Sequence, residues 1–196
     1  MITIVLQNNK GLKRIRFYDY TQDAICQNTA QALVDYGQQI EHLEIFQNLD
    51  YDTHAILTKL KHLKSIKFCH YSMTLAPENL KLMSLNQSQL EEIQLPLYSL
   101  SESYDEFFAN LKDTLKRLKL TFNQSNHLWT FESLHKLVNL SELELQHVYD
   151  QFDDIQIVNL AKISSWKVFK FAGQYCESTD PLIKLFSSLK TYKLHC

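Results

Sequence analysis

Apolar residues return along this chain in one recurring group: two positions three apart, then a third two further on. The group occurs eight times, as Leu12-Ile15-Phe17, Ile40-Leu43-Ile45, Leu63-Ile66-Phe68, Leu90-Ile93-Leu95, Leu115-Leu118-Leu120, Leu140-Leu143-Leu145, Trp166-Phe169-Phe171 and Leu189-Tyr192-Leu194. Successive first members lie 28, 23, 27, 25, 25, 26 and 23 residues apart, so the chain is a series of similar units. The last two positions alternate, which predicts a short β-strand with one face inward. Ahead of several groups, apolar residues recur every third position: Leu57 and Leu60 before Leu63, Leu134 and Leu137 before Leu140, Leu160 and Ile163 before Trp166, Ile183 and Phe186 before Leu189. That rhythm predicts a short helix or 3₁₀ segment packing one stripe under the sheet. Two units slip, with Leu82 and Leu85 before Leu90 and Phe108 and Leu111 before Leu115, and irregular turns are expected there. A single unit cannot bury its apolar face alone, whereas stacked units form one core.

The group and its period resemble the leucine-rich-repeat family, over nearly the whole chain from about Leu6 to Leu194. Unit length and tails such as Leu33-Val34-Asp35-Tyr36-Gly37-Gln38-Gln39-Ile40 are most similar to the irregular repeats of the ribonuclease-inhibitor and F-box-receptor type. The resemblance implies an α/β fold class: a right-handed solenoid, or horseshoe, with about eight parallel short strands on its concave face and helical or irregular convex segments. Residues 1–196 are expected to form one such domain. The family usually carries Asn or Cys three residues after the last strand leucine. Here that place reads Tyr20, Asn48, Tyr71, Tyr98, Asn123, Val148 and Gln174, so a continuous asparagine ladder is not expected. Both ends look cut: Leu6 matches the tail of a convex segment, and the chain stops two residues after Leu194. Terminal repeats ordinarily carry a polar cap. The expectation is therefore a domain incomplete at one or both ends, or one whose apolar edges meet another chain end to end.

In such a stack, the residues between the inward apolar ones face a partner. One outward row reads Arg14, His42, Ser65, Glu92, Arg117, Glu142, Val168, Thr191, and the next reads Arg16, Glu44, Lys67, Gln94, Lys119, Glu144, Lys170, Lys193. Strands in a sheet lie roughly 4.8 Å apart, so equivalent positions are neighbours and basic and acidic rungs alternate. Either these charges pair across strands and support the stacking, or they meet a partner. Lys167, Lys170, Lys190 and Lys193 break the alternation at the C-terminal end. The third row is less polar: Tyr18, Phe46, Cys69, Pro96, Thr121, Gln146, Ala172. Tyr20, Tyr71, Tyr98 and Phe122 lie just beyond it on the rim, where they either contact a partner or fold under into the core. Tyr18 and Phe46, with Arg16, Glu44 and His42 around them, are the leading candidates for partner contact, and Phe122 is a further one, because exposed aromatics supply large contact area at low entropic cost.

Composition narrows the function classes. A net charge of −2 offers no electrostatic reason for nucleic acid, and no stretch has the roughly 18 apolar residues that span a bilayer. Asn86, Asn123 and Asn139 begin sequons, but the start of the chain has no secretory signature, and an intracellular, cytoplasmic site is expected. Cys26, Cys69, Cys176 and Cys196 are far apart and read as thiols rather than a disulfide or zinc framework. The eight histidines are scattered without metal-ligand spacing, and the thiol–imidazole grouping of Cys69, His70 and His42 is weak. Asp150, Asp153 and Asp154 lack the glycine and closing glutamate of a calcium loop. No catalytic, metal or cofactor site is expected.

The reading that follows is a non-catalytic module that binds a protein through its concave face. The resemblance allows a substrate-recognition role in an F-box-like ligase receptor. A scaffold subunit of a cytoskeletal or organellar assembly and a pathogen effector or inhibitor that masks a host protein remain the alternatives. Fold alone does not separate them.

Overall fold

The computed structural model describes residues 2–18, 27–46, 49–69, 76–97, 103–122, 132–148, 154–163, 165, 167–173 and 191–195. Eight strands run in chain order across one parallel sheet: β1 (Arg14–Phe17), β2 (His42–Ile45), β3 (Ser65–Phe68), β4 (Glu92–Leu97), β5 (Arg117–Phe122), β6 (Glu142–Val148), β7 (Val168–Gly173) and β8 (Thr191–His195). Each strand is one repeat group, and the pairing register matches the outward rows. Arg14 stands opposite His42, then Ser65, Glu92, Arg117, Glu142, Val168 and Thr191 in unbroken succession. A slip of one residue would turn every apolar side chain to the open side, so the inward leucines hold this register.

Helices return the chain from strand to strand: α1 (Ile2–Asn8), α2 (Gln27–Tyr36), α3 (Tyr51–Leu57), α4 (Pro77–Asn86), α5 (Ser103–Asn110) and α6 (Asp154–Ala161), with a 3₁₀ turn at Glu132–Lys136. The core lies between them and the sheet. Leu43, Leu118 and Leu143 from the strands meet Leu57, Leu60, Leu134, Leu137 and Leu160 from the helical side, all buried. Leu6 of α1 is likewise buried against that core, as a convex tail residue should be. Asp50 starts α3 by accepting a hydrogen bond from the Thr53 amide at 2.6 Å, and Pro77 sits in the first turn of α4, where its missing N–H is no loss.

In several units the residue three before the strand group enters the shared core, although Asn9 and Lys112 at that place are exposed. Leu60, Leu137 and Ile163 fill it with apolar side chains. Gly37 occupies it after α2, where the amide donates to the Leu33 carbonyl at 2.7 Å and an added Cβ would sit 2.6 Å from that oxygen. Only glycine fits so close an approach. Gln87 occupies it after α4, fully buried, with neither amide atom hydrogen-bonded.

Two expectations need correction. The segments before Leu90 and Leu115 are not irregular turns but helices of 10 and 8 residues. In α4 the inward residues are Leu80 and Met83, while Leu82 and Leu85 are exposed. Both sets have the three-residue spacing on opposite faces of the helix, and the docked helix buries the first. In α5, Phe108 and Leu111 do face the core, joined by Tyr104 and Phe107. The second correction concerns Phe122. It is only 4% exposed and belongs to the core cluster, so it lies under the rim and offers a partner no ring.

Candidate functional site

The outward rows form an open face whose charges are organised by the strand register. Arg16 Nε meets Glu44 Oε2 at 2.7 Å, Lys67 meets Glu92 at 2.7 Å, Arg117 meets the same carboxylate at 3.1 Å, and Lys119 meets Glu144 at 3.0 Å. Lys170 bridges Glu142 and Glu144. Cross-strand pairing of the alternating rungs is therefore realised in the fold. The burial of Glu92 works to raise its pKa, but hydrogen bonds and charge from Lys67 and Arg117 overcome this and hold it at about 2.

A further ladder runs along the entrance of the strands, one residue after the first apolar position of each group. Glu41 lies 2.8 Å from both Lys13 and Lys64, and Glu91 lies 3.0 Å from Lys116. The two lysines donate hydrogen bonds to Glu41 and hold its carboxyl at about 2. Inspection of that single column, Lys13, Glu41, Lys64, Glu91, Lys116, would have found it in the sequence. It was hidden because that position precedes the alternating strand residues.

In the middle of the face, an open furrow of about 230 Å³ lies over Ile93 and Leu118, walled by Lys67, Glu92, Arg117, Lys119, Glu144 and Lys170. Every charge named there has an opposite partner.

The first two strands are built differently. Tyr18 and Phe46 stack with ring centroids 4.3 Å apart and planes inclined by 17°, and Tyr18 is 54% exposed while Phe46 is half-buried. Arg16 and Glu44 form the pair directly beside them. Glu44 does not stand on the rim as the sequence pattern suggested: it is buried to 8% exposure beneath the guanidinium, since its short side chain stays near the sheet while arginine extends past it. His42 is half-buried on the rung above, with its pKa lowered by burial and by the charge of Arg14. Arg14 is exposed and, among the described residues, has no carboxylate partner. The structure thus brings Tyr18, Phe46, Arg16, Glu44 and His42 into one corner and leaves Phe122 out.

Elsewhere the third outward row offers less. Pro96 and Thr121 are buried rather than exposed, and Gln146 and Ala172 are half-buried. Cys69 follows β3 as the next member of the row after Phe46. Burial and the charge of Glu44 raise its thiol to about 11, so it is protonated at neutral pH and a poor nucleophile. It lies four residues along β3 from the rung of His42, about 13 Å away, which separates the two groups. His70, Cys26, Cys176, Cys196, Asp150, Asp153, Lys190 and the rim tyrosines Tyr20, Tyr71 and Tyr98 lie outside the described residues. Among the described residues, no three His, Cys, Asp or Glu side chains gather as a metal site needs, and no helix is long and apolar enough to cross a membrane.

No protein-family model matches this chain, and no curated protein matches its sequence. Its structure is similar to that of internalin C2 from Listeria monocytogenes strain 4b F2365, over 98% of this chain and 92% of that one, with a TM-score of 0.52 and 17% identity. The likeness is one of fold. Together with the eight parallel strands in chain order, it makes this chain a leucine-rich-repeat solenoid.

Proposed function

We propose that this chain is a non-catalytic protein–protein interaction module whose main contact lies at the first two strands of the open face. The observation that carries the reading is the Tyr18–Phe46 stack, an aromatic platform left open beside a charged pair. Aromatic residues surrounded by polar groups are where binding energy concentrates at protein interfaces. The face also supplies what recognition requires and chemistry does not: fixed side chains on a rigid sheet, carboxylates neutralised by lysine and arginine, and a protonated thiol.

Photo-cross-linking tests the reading in the native cell. A benzophenone side chain at position 18 should capture a discrete protein, and the same group at position 170 should capture it weakly or not at all. Capture at 170 alone would overturn the assignment. The identity of the captured protein then separates the roles this module can fill: ligase adaptors mark a receptor, a fixed set of subunits marks a scaffold, and a foreign protein marks an effector.

A further inference from the structure

The two charged outward rows hold seven cations and four carboxylates, and the two kinds of charge also differ in exposure. In each ion pair of the described residues, the cation is the more exposed partner. The difference is largest at the first strands: the Arg16 side chain is 48% exposed over a Glu44 at 11%, and Lys13 is 55% exposed over a Glu41 at 23%. Long basic side chains lay their stems along the sheet and carry the charge outward, while the shorter carboxylates stay below. An approaching partner therefore meets guanidinium and ammonium groups first. At the corner this layer is thickest, because Arg14 adds a charge with no carboxylate among the described residues.

We infer that the partner segment seated on Tyr18 and Phe46 is an acidic, extended peptide with an apolar anchor on the rings and carboxylates reaching Arg16 and Arg14. This rests on the reading of the corner as the contact site. The spacing makes the inference specific. Arg14, Arg16 and Tyr18 follow one another along the chain at every second residue, about 7 Å apart. An extended peptide has the same period on one of its faces. Its anchor on Tyr18 places the side chains two and four residues away over Arg16 and Arg14. Arg16 meets Glu44 through Nε, and a guanidinium carries five donors, so it can accept a second carboxylate without losing the first. A nucleic-acid strand fits less well. The chain as a whole carries a net charge of −2, which gives no long-range attraction for a polyanion.

The test is selection of a random peptide library displayed on phage against the full chain. Enriched peptides are then titrated by fluorescence anisotropy into the wild type, Arg14→Glu, Arg14→Lys and the Tyr18→Ala/Phe46→Ala double variant. The expected outcome is enrichment of Asp or Glu two and four residues from an apolar side chain. Binding should weaken with added salt, fall at least about tenfold in Arg14→Glu and be largely retained in Arg14→Lys. Arg14 is exposed, so its variants should fold normally, and circular dichroism checks this. Basic or neutral peptides that ignore Arg14→Glu yet need the aromatic pair would overturn the acidic inference and leave the corner reading standing. Peptides indifferent to the aromatic pair would overturn both. No enrichment would overturn the inference as well, as would oligo-uridine that binds the wild type and displaces the peptides.

Discussion

At the first two strands, the third outward row of the sheet holds Tyr18 and Phe46. At the fourth and fifth, the same row holds Pro96 and Thr121, both buried. The adjoining charges differ in the same way. In the middle, Glu92 is clasped by Lys67 and Arg117, and Lys119 and Lys170 share Glu144. At the corner, Arg14 stands unpaired among the described residues and Arg16 covers Glu44. Both regions rest on the same register and the same leucine core. The fold therefore supplies a repeated platform, and which rungs are left open decides where a partner can bind. A self-neutralised furrow offers a partner little uncompensated charge, whereas an open aromatic pair needs only to lose water.

The two regions share one core, and that is where the largest effects are expected. Leu43 lies under the corner and Leu118 under the furrow, both essentially inaccessible. Replacing either by Ala should lower stability by about 2–5 kcal/mol in chemical denaturation. Lys119→Ala, on the open side of the same strand as Leu118, should cost less than about 1 kcal/mol. Equal losses for Leu118 and Lys119 would mean that the two faces are assigned wrongly.

Next in size is a pH effect below the sheet. His54 of α3 is buried edge-on against Phe68, at 5.4 Å between centroids, and burial lowers its pKa from 6.5 to about 4. Its folded value lies below its unfolded one, so protonation favours the unfolded chain. Stability should be intact above pH 6.5 and fall as the pH drops toward 4, by at most about 3 kcal/mol. The carboxylates Glu41 and Glu92 also have folded values below their unfolded ones, and their contribution is lost later, between 4.5 and about 2. A His54→Leu variant should flatten the upper step alone. An unchanged profile in that variant would remove His54 from the account.

Smaller again is the buried amide of Gln87, which stands where Leu60, Leu137 and Ile163 stand in other units. Gln87→Leu should stabilise the middle of the stack by about 1–3 kcal/mol, because it removes an unsatisfied buried group. A loss of stability would show that the amide has partners after all. Smallest are the open-face charges themselves. Glu92→Gln should cost roughly 1 kcal/mol and less at high salt, while Arg14→Ala should change stability by under about 0.5 kcal/mol. A destabilising Arg14→Ala would contradict its role as a free cation.

The strand register was legible within the repeat groups, since a period of two with one apolar face disfavours a slip: Arg14, His42, Ser65 and Glu92 line up as their spacing implies, and only past Gln146 does the β6–β7 pairing shift, to Val148 opposite Gly173. Helix phase was less legible. Leu82 and Leu85 have the same three-residue spacing as Leu80 and Met83, and which pair turns inward follows from how the helix packs on the sheet, which spacing alone does not give. Depth was not legible at all. Alternation says which side a residue leaves the strand by, not what lies over it, so Glu44 and Phe122 were both placed too near the surface. For the same reason the alternation could set Tyr18 beside Phe46 but could not show the outward layering of the cations.

The most direct measurement of the central claim is calorimetric titration of the captured partner into three proteins: the wild type, Tyr18→Ala/Phe46→Ala, and Lys170→Ala/Lys193→Ala. Loss of the aromatic pair should cost at least about 2 kcal/mol of binding free energy, while loss of the lysine pair should change affinity only slightly. Loss of binding in the lysine variant, with the aromatic variant intact, would place recognition on the C-terminal strands and contradict that claim.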